Sequence, residues 1–165
     1  MSIVLYVKNI LMEGVVYLYK HDTYDRRIQL GASRHRWKDA EALQQAERWS
    51  GAMYLAGYAI ECSLKAWVCS HEQRLNFKET KMFRQLGQGA ALHSLNLFLD
   101  YLGPLYAIVK NRPNGEYANA WHTITYMWQK DKLRYWNKLG NRDDCRRFLE
   151  AVKVMHQFIL QSQGE

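Results

Sequence analysis

Proline is nearly missing from this chain: Pro104 and Pro113 are the only two in 165 residues. A residue that removes a backbone donor and clashes with the preceding turn is thereby kept out of almost every segment, so long uninterrupted helices are open to the sequence. Cysteine is scarce and odd in number. Cys62, Cys69 and Cys145 show no CxxC spacing, which argues against a disulfide framework and leaves three free thiols, as expected in a reducing compartment. No stretch reaches the roughly 20 consecutive apolar residues that span a bilayer. The opening MSIVLYVKNILMEGVVYLYKH is broken by Lys8, Asn9, Glu13 and Gly14 and lacks a basic n-region and a small-residue cleavage site. No signal peptide and no membrane association are therefore expected, and the protein is expected to be cytoplasmic.

Chemistry-bearing motifs are also thin. The six histidines and three cysteines form no HxxxH, HExxH or CxxC pattern, so no metal site is expected. The GQG at Gly87 to Gly89 lacks the lysine and the preceding strand of a phosphate loop. No cofactor is expected, and no Ser-His-Asp arrangement stands out.

What is present is the composition of one globular domain: 48% hydrophobic and 24% charged residues over a length that buries a proper core. The net charge of +7 suits phosphate chains or acidic proteins as partners, and suits plain solubility equally.

Residues 1–33, rich in Val, Ile and Tyr, read as an N-terminal extension, either a strand pair or an irregular helix. Residues 34–165 read as an all-α domain, a bundle of four or five helices. WKDAEALQQAERW is built from helix formers, and Ser50-Gly51 offers a break and a cap before a second helix from about 50 to 73. ALHSLNLFLDYLG, residues 91–103, reads as a third helix that His93 opens and Gly103 stops. KNRPNG is a turn. EYANAWHTITYMWQ is a helix or a strand-like stretch, because Thr123, Ile124 and Thr125 disfavour helix. KDKLRYWNKLGN reads as a connection, and Asn141 can cap a last amphipathic helix, roughly 142–161, with Cys145, Phe148, Leu149, Val152, His156 and Ile159 on one face.

The segment Trp49 to Cys69, WSGAMYLAGYAIECSLKAWVC, is apolar around most of a helical circumference, as a central bundle helix must be. Gly57 permits close approach of a neighbouring helix. Tyr54, Tyr58, Glu61 and Lys65 stand at i, i+4, i+7 and i+11 and share one stripe. Either Glu61 and Lys65 form a surface ion pair worth about 0.3–0.5 kcal/mol, or Glu61 is semi-buried and orients a cation from elsewhere, Arg134 being the foremost outside partner.

RWKDAEALQQAERWSGAMYLAGYAIECSLKA, then LHSL, then LRYW ahead of a final amphipathic helix, resembles the HEPN family of small prokaryotic helical-bundle proteins over about 37–161. The resemblance implies a homodimeric, up-and-down bundle of four or five helices that acts around RNA or a nucleotide in toxin–antitoxin or defence systems, often beside a nucleotidyltransferase partner protein. Many members are metal-independent ribonucleases with an arginine and a histidine separated by four to six residues. That signature is absent. Arg112 to His122 has nine intervening residues, and Arg84 to His93 and Arg147 to His156 have eight each.

The expectation is therefore a HEPN-like binding or adaptor module, with a ribonuclease using a non-standard set as the alternative. Candidate catalytic residues are His93, His122 and Arg134, and Tyr58, Glu61, Lys65, Arg134 and Tyr135 form the expected polar cluster. Each has a plainer reading: a helix-start cap for His93, a brace between helices for Arg134, and a core stripe of Trp121, Ile124 and Trp128 beside His122. His156 is expected to be a satisfied core histidine.

Overall fold

The computed structural model describes residues 22–87, 89–135 and 140–165. These build a helical bundle of eight α-helices and two short 3-10 turns, and no strand occurs among them. The helices are α1 (Arg26–Gln45), α2 (Trp49–His71), α3 (Lys81–Leu86), α4 (Leu95–Tyr101), α5 (Gly103–Lys110), α6 (Glu116–Met127), α7 (Lys130–Tyr135) and α8 (Arg142–Gln161). None of them is long and apolar enough to cross a membrane.

α2 is the centre. It packs along α1 and α8 and meets α4 and α7, while α6 closes the bundle against α8. Its sequence explains that position: Ala52, Ala56, Ile60, Leu64 and Val68 are fully buried, so every turn of the helix contributes apolar surface to the core. Gly57 is the point of closest approach. The indole of Trp128, at the end of α6, covers it so tightly that a methyl group there would overlap the ring. The neighbour admitted by Gly57 is thus one side chain, and it also donates its N–H to the Tyr54 carbonyl at 3.2 Å.

α1 begins earlier than its composition suggests. Asp25 caps it, its carboxylate accepting from the backbone N–H of Arg27 at 2.8 Å and Ile28 at 3.4 Å. The boundary expected at 33/34 falls inside this helix, with Gln29, Leu30 and Ser33 buried. Residues 22–33 are consequently part of the bundle. The strand pair or irregular helix expected for the first residues lies, up to residue 21, outside the described residues.

α2 starts at Trp49 without a side-chain cap, because Glu47 at φ 57 makes the turn and the Arg48 N–H bonds the Leu43 carbonyl at 2.8 Å. The single helix expected over 91–103 is broken. His93 ends a 3-10 turn, Ala90–His93, and does not open a helix. Ser94 (φ −85, ψ 110) and Leu102 (φ −92, ψ 95) are both extended. Gly103 starts α5 instead of stopping α4, with Pro104 in the first turn, where its missing N–H costs nothing. The leucine spacing still holds, since Leu92, Leu95, Leu99 and Leu102 are all buried. α6 is helical despite its β-branched run, and Thr123 and Thr125 turn their hydroxyls back onto helix carbonyls at 2.9 Å. Asn141 caps α8 through the N–H groups of Asp143 and Asp144.

The three cysteines are free. Burial pushes the Cys69 thiol up to about 12 and those of Cys62 and Cys145 to about 11, so none is a thiolate at neutral pH. His156 is buried and satisfied. The Ser33 hydroxyl donates to the Ala59 carbonyl at 2.9 Å and so accepts from His156 Nε2 at 2.6 Å.

Burial, reinforced by Arg34, lowers the His156 imidazole to about 4. The folded state then binds fewer protons than the unfolded one between about pH 6.5 and 4, and stability present at neutral pH is lost as pH falls through that window. Denaturant unfolding should lose roughly 3 kcal/mol from this group alone. His156→Gln should be less stable at pH 7 and lose less than the parent on acidification; an equal loss in both proteins would contradict the assignment.

Candidate functional site

The α2 stripe seen in sequence is real, and its two halves differ. At the N-terminal half, the Tyr54 hydroxyl donates to Tyr58 at 3.4 Å with the rings edge to face, centroids 4.9 Å apart. Trp128 stands edge-on to Tyr58 at 5.3 Å. Arg134, from α7, donates from Nε to Tyr54 at 3.0 Å and from Nη2 to Tyr58 at 3.1 Å. Its guanidinium lies 5.9 Å from the Tyr54 ring and 6.0 Å from the exposed Tyr135 ring.

Among the described residues no carboxylate comes within 4 Å of this guanidinium. Hydrogen bonds to Tyr54, Tyr135 and Tyr58 push it further toward the charged form. For Tyr54, burial acts upward, but the hydrogen bonds with Tyr58 and Arg134 outweigh it and the phenol is lowered. Tyr58 moves the other way, to about 12, through burial and the Tyr54 hydrogen bond. It therefore keeps its proton, and because it accepts from Tyr54 and Arg134 its own O–H stays free to donate.

At the C-terminal half the charges are buried. Glu61 is 2% exposed and Lys65 5%, which rules out the surface ion pair. Glu61 Oε1 accepts from Lys65 Nζ at 2.7 Å and from His93 Nδ1 at 2.6 Å. An ionised carboxylate has no proton to give, so His93 carries its proton on Nδ1. Lys65 Nζ also lies 6.0 Å from the Tyr24 and Phe77 rings, a second source of stabilisation for a desolvated ammonium. Glu61 Oε2 is buried with no partner among the described residues.

His93, whose side chain is 38% exposed, opens onto a cleft of about 170 Å³ lined also by Ser94, Asn96, Thr125, Trp128 and Lys130. Asn96 and Thr125 are shared with a larger cleft of about 720 Å³ that reaches Asp100, Lys110, Trp121, His122 and Tyr126.

Arg134 does not pair with Glu61, as the sequence reading had it. α7 carries it to the tyrosine end of the stripe, while Glu61 lies one turn further along and already has two donors on one oxygen. His93 is the outside partner of Glu61. His122 is exposed on α6, in the larger cleft and away from Arg134, with Trp121 and Trp128 turned to the core. Tyr135, 77% exposed, belongs to the rim of the cluster. The residues that sequence reasoning missed are Trp128 as a wall of the site and Lys130 as its second cation; Gly57, an unusual residue in mid-helix, was the available signal for the first. No group of three or more His, Cys, Asp or Glu side chains is placed to hold a metal ion among the described residues.

Fold and site together define an all-helical protein whose central helix carries a buried carboxylate paired with Lys65 and His93, beside a solvent-facing guanidinium with no carboxylate within 4 Å among the described residues. Comparison of the chain with protein-family models, with curated proteins and with solved structures finds no match.

Glu61→Ala leaves the Lys65 ammonium buried without its counter-charge and should cost about 3–5 kcal/mol. The double substitution Glu61→Leu with Lys65→Met removes both charges and should recover most of that loss. Thermal melts check this, and an unchanged melting temperature in Glu61→Ala would show that the pair contributes nothing.

Proposed function

We propose that this chain is a HEPN-like binding module, working as a homodimer, that recognises RNA through the face where α7 crosses the start of α2. The observation that carries this reading is the guanidinium of Arg134, oriented by two tyrosine hydroxyls and, among the described residues, with no carboxylate within 4 Å. A fixed planar fork of donors with uncompensated charge matches the oxygens of a phosphodiester. Lys130 and Lys132 lie on the same short helix, and the exposed ring of Tyr135 offers a surface on which an unpaired base can stack. The chain's net charge of +7 supports attraction to a polyanion. The resemblance to HEPN proteins adds a defence or toxin–antitoxin setting, with a nucleotidyltransferase as protein partner.

A second reading, a metal-independent RNA endonuclease, is favoured by one observation: the 2.6 Å contact between Glu61 and His93 Nδ1. It fixes the tautomer and leaves Nε2 as the ring nitrogen able to take a proton from a ribose 2′-OH. Arg134 or Lys130 would then meet the charge that develops on the phosphorus oxygens.

RNA binding followed by fluorescence anisotropy separates the outcomes. Arg134→Ala should weaken binding of single-stranded RNA by about tenfold or more and lower the dependence on log salt by about one unit. Equal affinity and salt slope in both proteins would remove the binding reading. Incubation of the same RNAs with excess chelator tests the second: cleavage that His93→Ala abolishes in a folded protein establishes the endonuclease, and intact RNA at high protein rejects it.

A further inference from the structure

The cleft beside His93 has an uneven chemistry. Of its polar lining, Ser94, Asn96 and Lys130 carry donors and no carboxylate is among the lining residues; the Thr125 hydroxyl is given to the Trp121 carbonyl, and His93 donates into the cleft only when protonated. Ser94, at the N-cap position of α4, does not spend its hydroxyl on capping. The cleft has a volume of about 170 Å³. That is room for one tetrahedral group.

The orientation of His93 adds a condition. In the neutral ring the proton sits on Nδ1, held by Glu61, and Nε2 is a bare lone pair that repels an anion. Protonation converts Nε2 into a donor without disturbing the Glu61 contact. The charged groups around the ring are Glu61 from α2, with Lys65 on the same carboxylate oxygen, and Lys130 from α7, which lines the same cleft; Asp100 of α4 lines the neighbouring larger cleft. With His93 protonated, Glu61 has two cationic partners, Lys65 and His93, and Lys130 adds a further positive charge at the cleft.

We propose that this cleft is an oxyanion seat for a phosphate-type group, in which His93 is a proton-linked donor, so that binding takes up one proton. The proposal deepens the RNA reading by naming where a phosphate sits. The seat is tested with an inorganic anion alone, so it can fail while RNA binding through Arg134 stands.

The probe is sulfate, whose charge is constant across the pH 5–8 range in which imidazoles titrate, added to the full chain at fixed ionic strength and followed by titration calorimetry in every variant and, where His93 is present, through its ring resonances. A saturable shift of His93 is expected, with affinity falling by up to about tenfold per pH unit as His93 loses its proton. His93→Gln, which offers an amide donor at every pH, should bind with that slope abolished. Lys130→Ala should bind several-fold more weakly at every pH with the slope intact. Thermal melts confirm that both variants are folded. Ribose 5-phosphate and a short RNA are the competing ligands. Displacement of sulfate by either supports the seat, and displacement by RNA alone assigns it to a phosphodiester. No saturable shift of His93, an unchanged slope in His93→Gln, or displacement by neither competitor overturns the proposal.

Discussion

A carboxylate in the middle of a central bundle helix is an unfavourable thing to bury. Taken from water without a partner, Glu61 would cost several kcal/mol or abandon its charge. Instead its Oε1 receives an ammonium from its own helix at 2.7 Å and an imidazole from a distant loop at 2.6 Å. The first contact follows from helix geometry, since residues four apart stand one above the other. The second ties the irregular segment before α4 to the bundle and sets the orientation of His93. The clefts beside α2, the tautomer of the histidine and the arrangement of charge along the stripe all depend on this one buried group.

The two halves of the stripe manage charge in opposite ways. Around Glu61 the positive and negative groups are packed together and screened from solvent, so their mutual attraction offsets desolvation. Around Tyr54 and Tyr58, among the described residues, the guanidinium of Arg134 is hydrogen-bonded to phenols at the surface, where water solvates its charge. Neutral donors and acceptors fix direction without cancelling charge, and an oriented, uncancelled cation is what an anionic ligand requires. Trp128 links the halves mechanically. Its indole fills the space that Gly57 leaves on α2, bonds the Tyr54 carbonyl and walls the cleft beneath His93.

Helix periodicity was legible wherever it was long and amphipathic. The α8 face, the asparagine cap before it and the course of α2 all follow from spacing and composition. It failed where short segments change direction. The leucines of 92–102 keep a helical spacing and are buried as that spacing implies, yet the chain there turns twice, because Ser94 and Leu102 are extended and Pro104 favours a fresh helix start. The boundary at 33/34 went wrong for a related reason. The first turns of α1 are rich in arginine and poor in apolar residues, and it is the burial of Leu30 and the hydrogen bonds of Ser33 to Ala59 of α2 and His156 of α8, together with the Asp25 cap, that make them part of the bundle.

The sequence by itself determined that this protein is helical, that one helix is central, and that Tyr54, Tyr58, Glu61 and Lys65 lie on one line of it. Those properties are local: they depend on 3.6 residues per turn and on which side chains prefer water. Only the tertiary structure decided that Glu61 meets His93 and that Arg134 meets the tyrosines. Both pairings join residues more than thirty positions apart, and nothing in the local pattern says which of several available cations reaches a given acceptor. The choice is made by how α7 and the loop before α4 pack on α2, through shape at Gly57 and Trp128 as much as through charge.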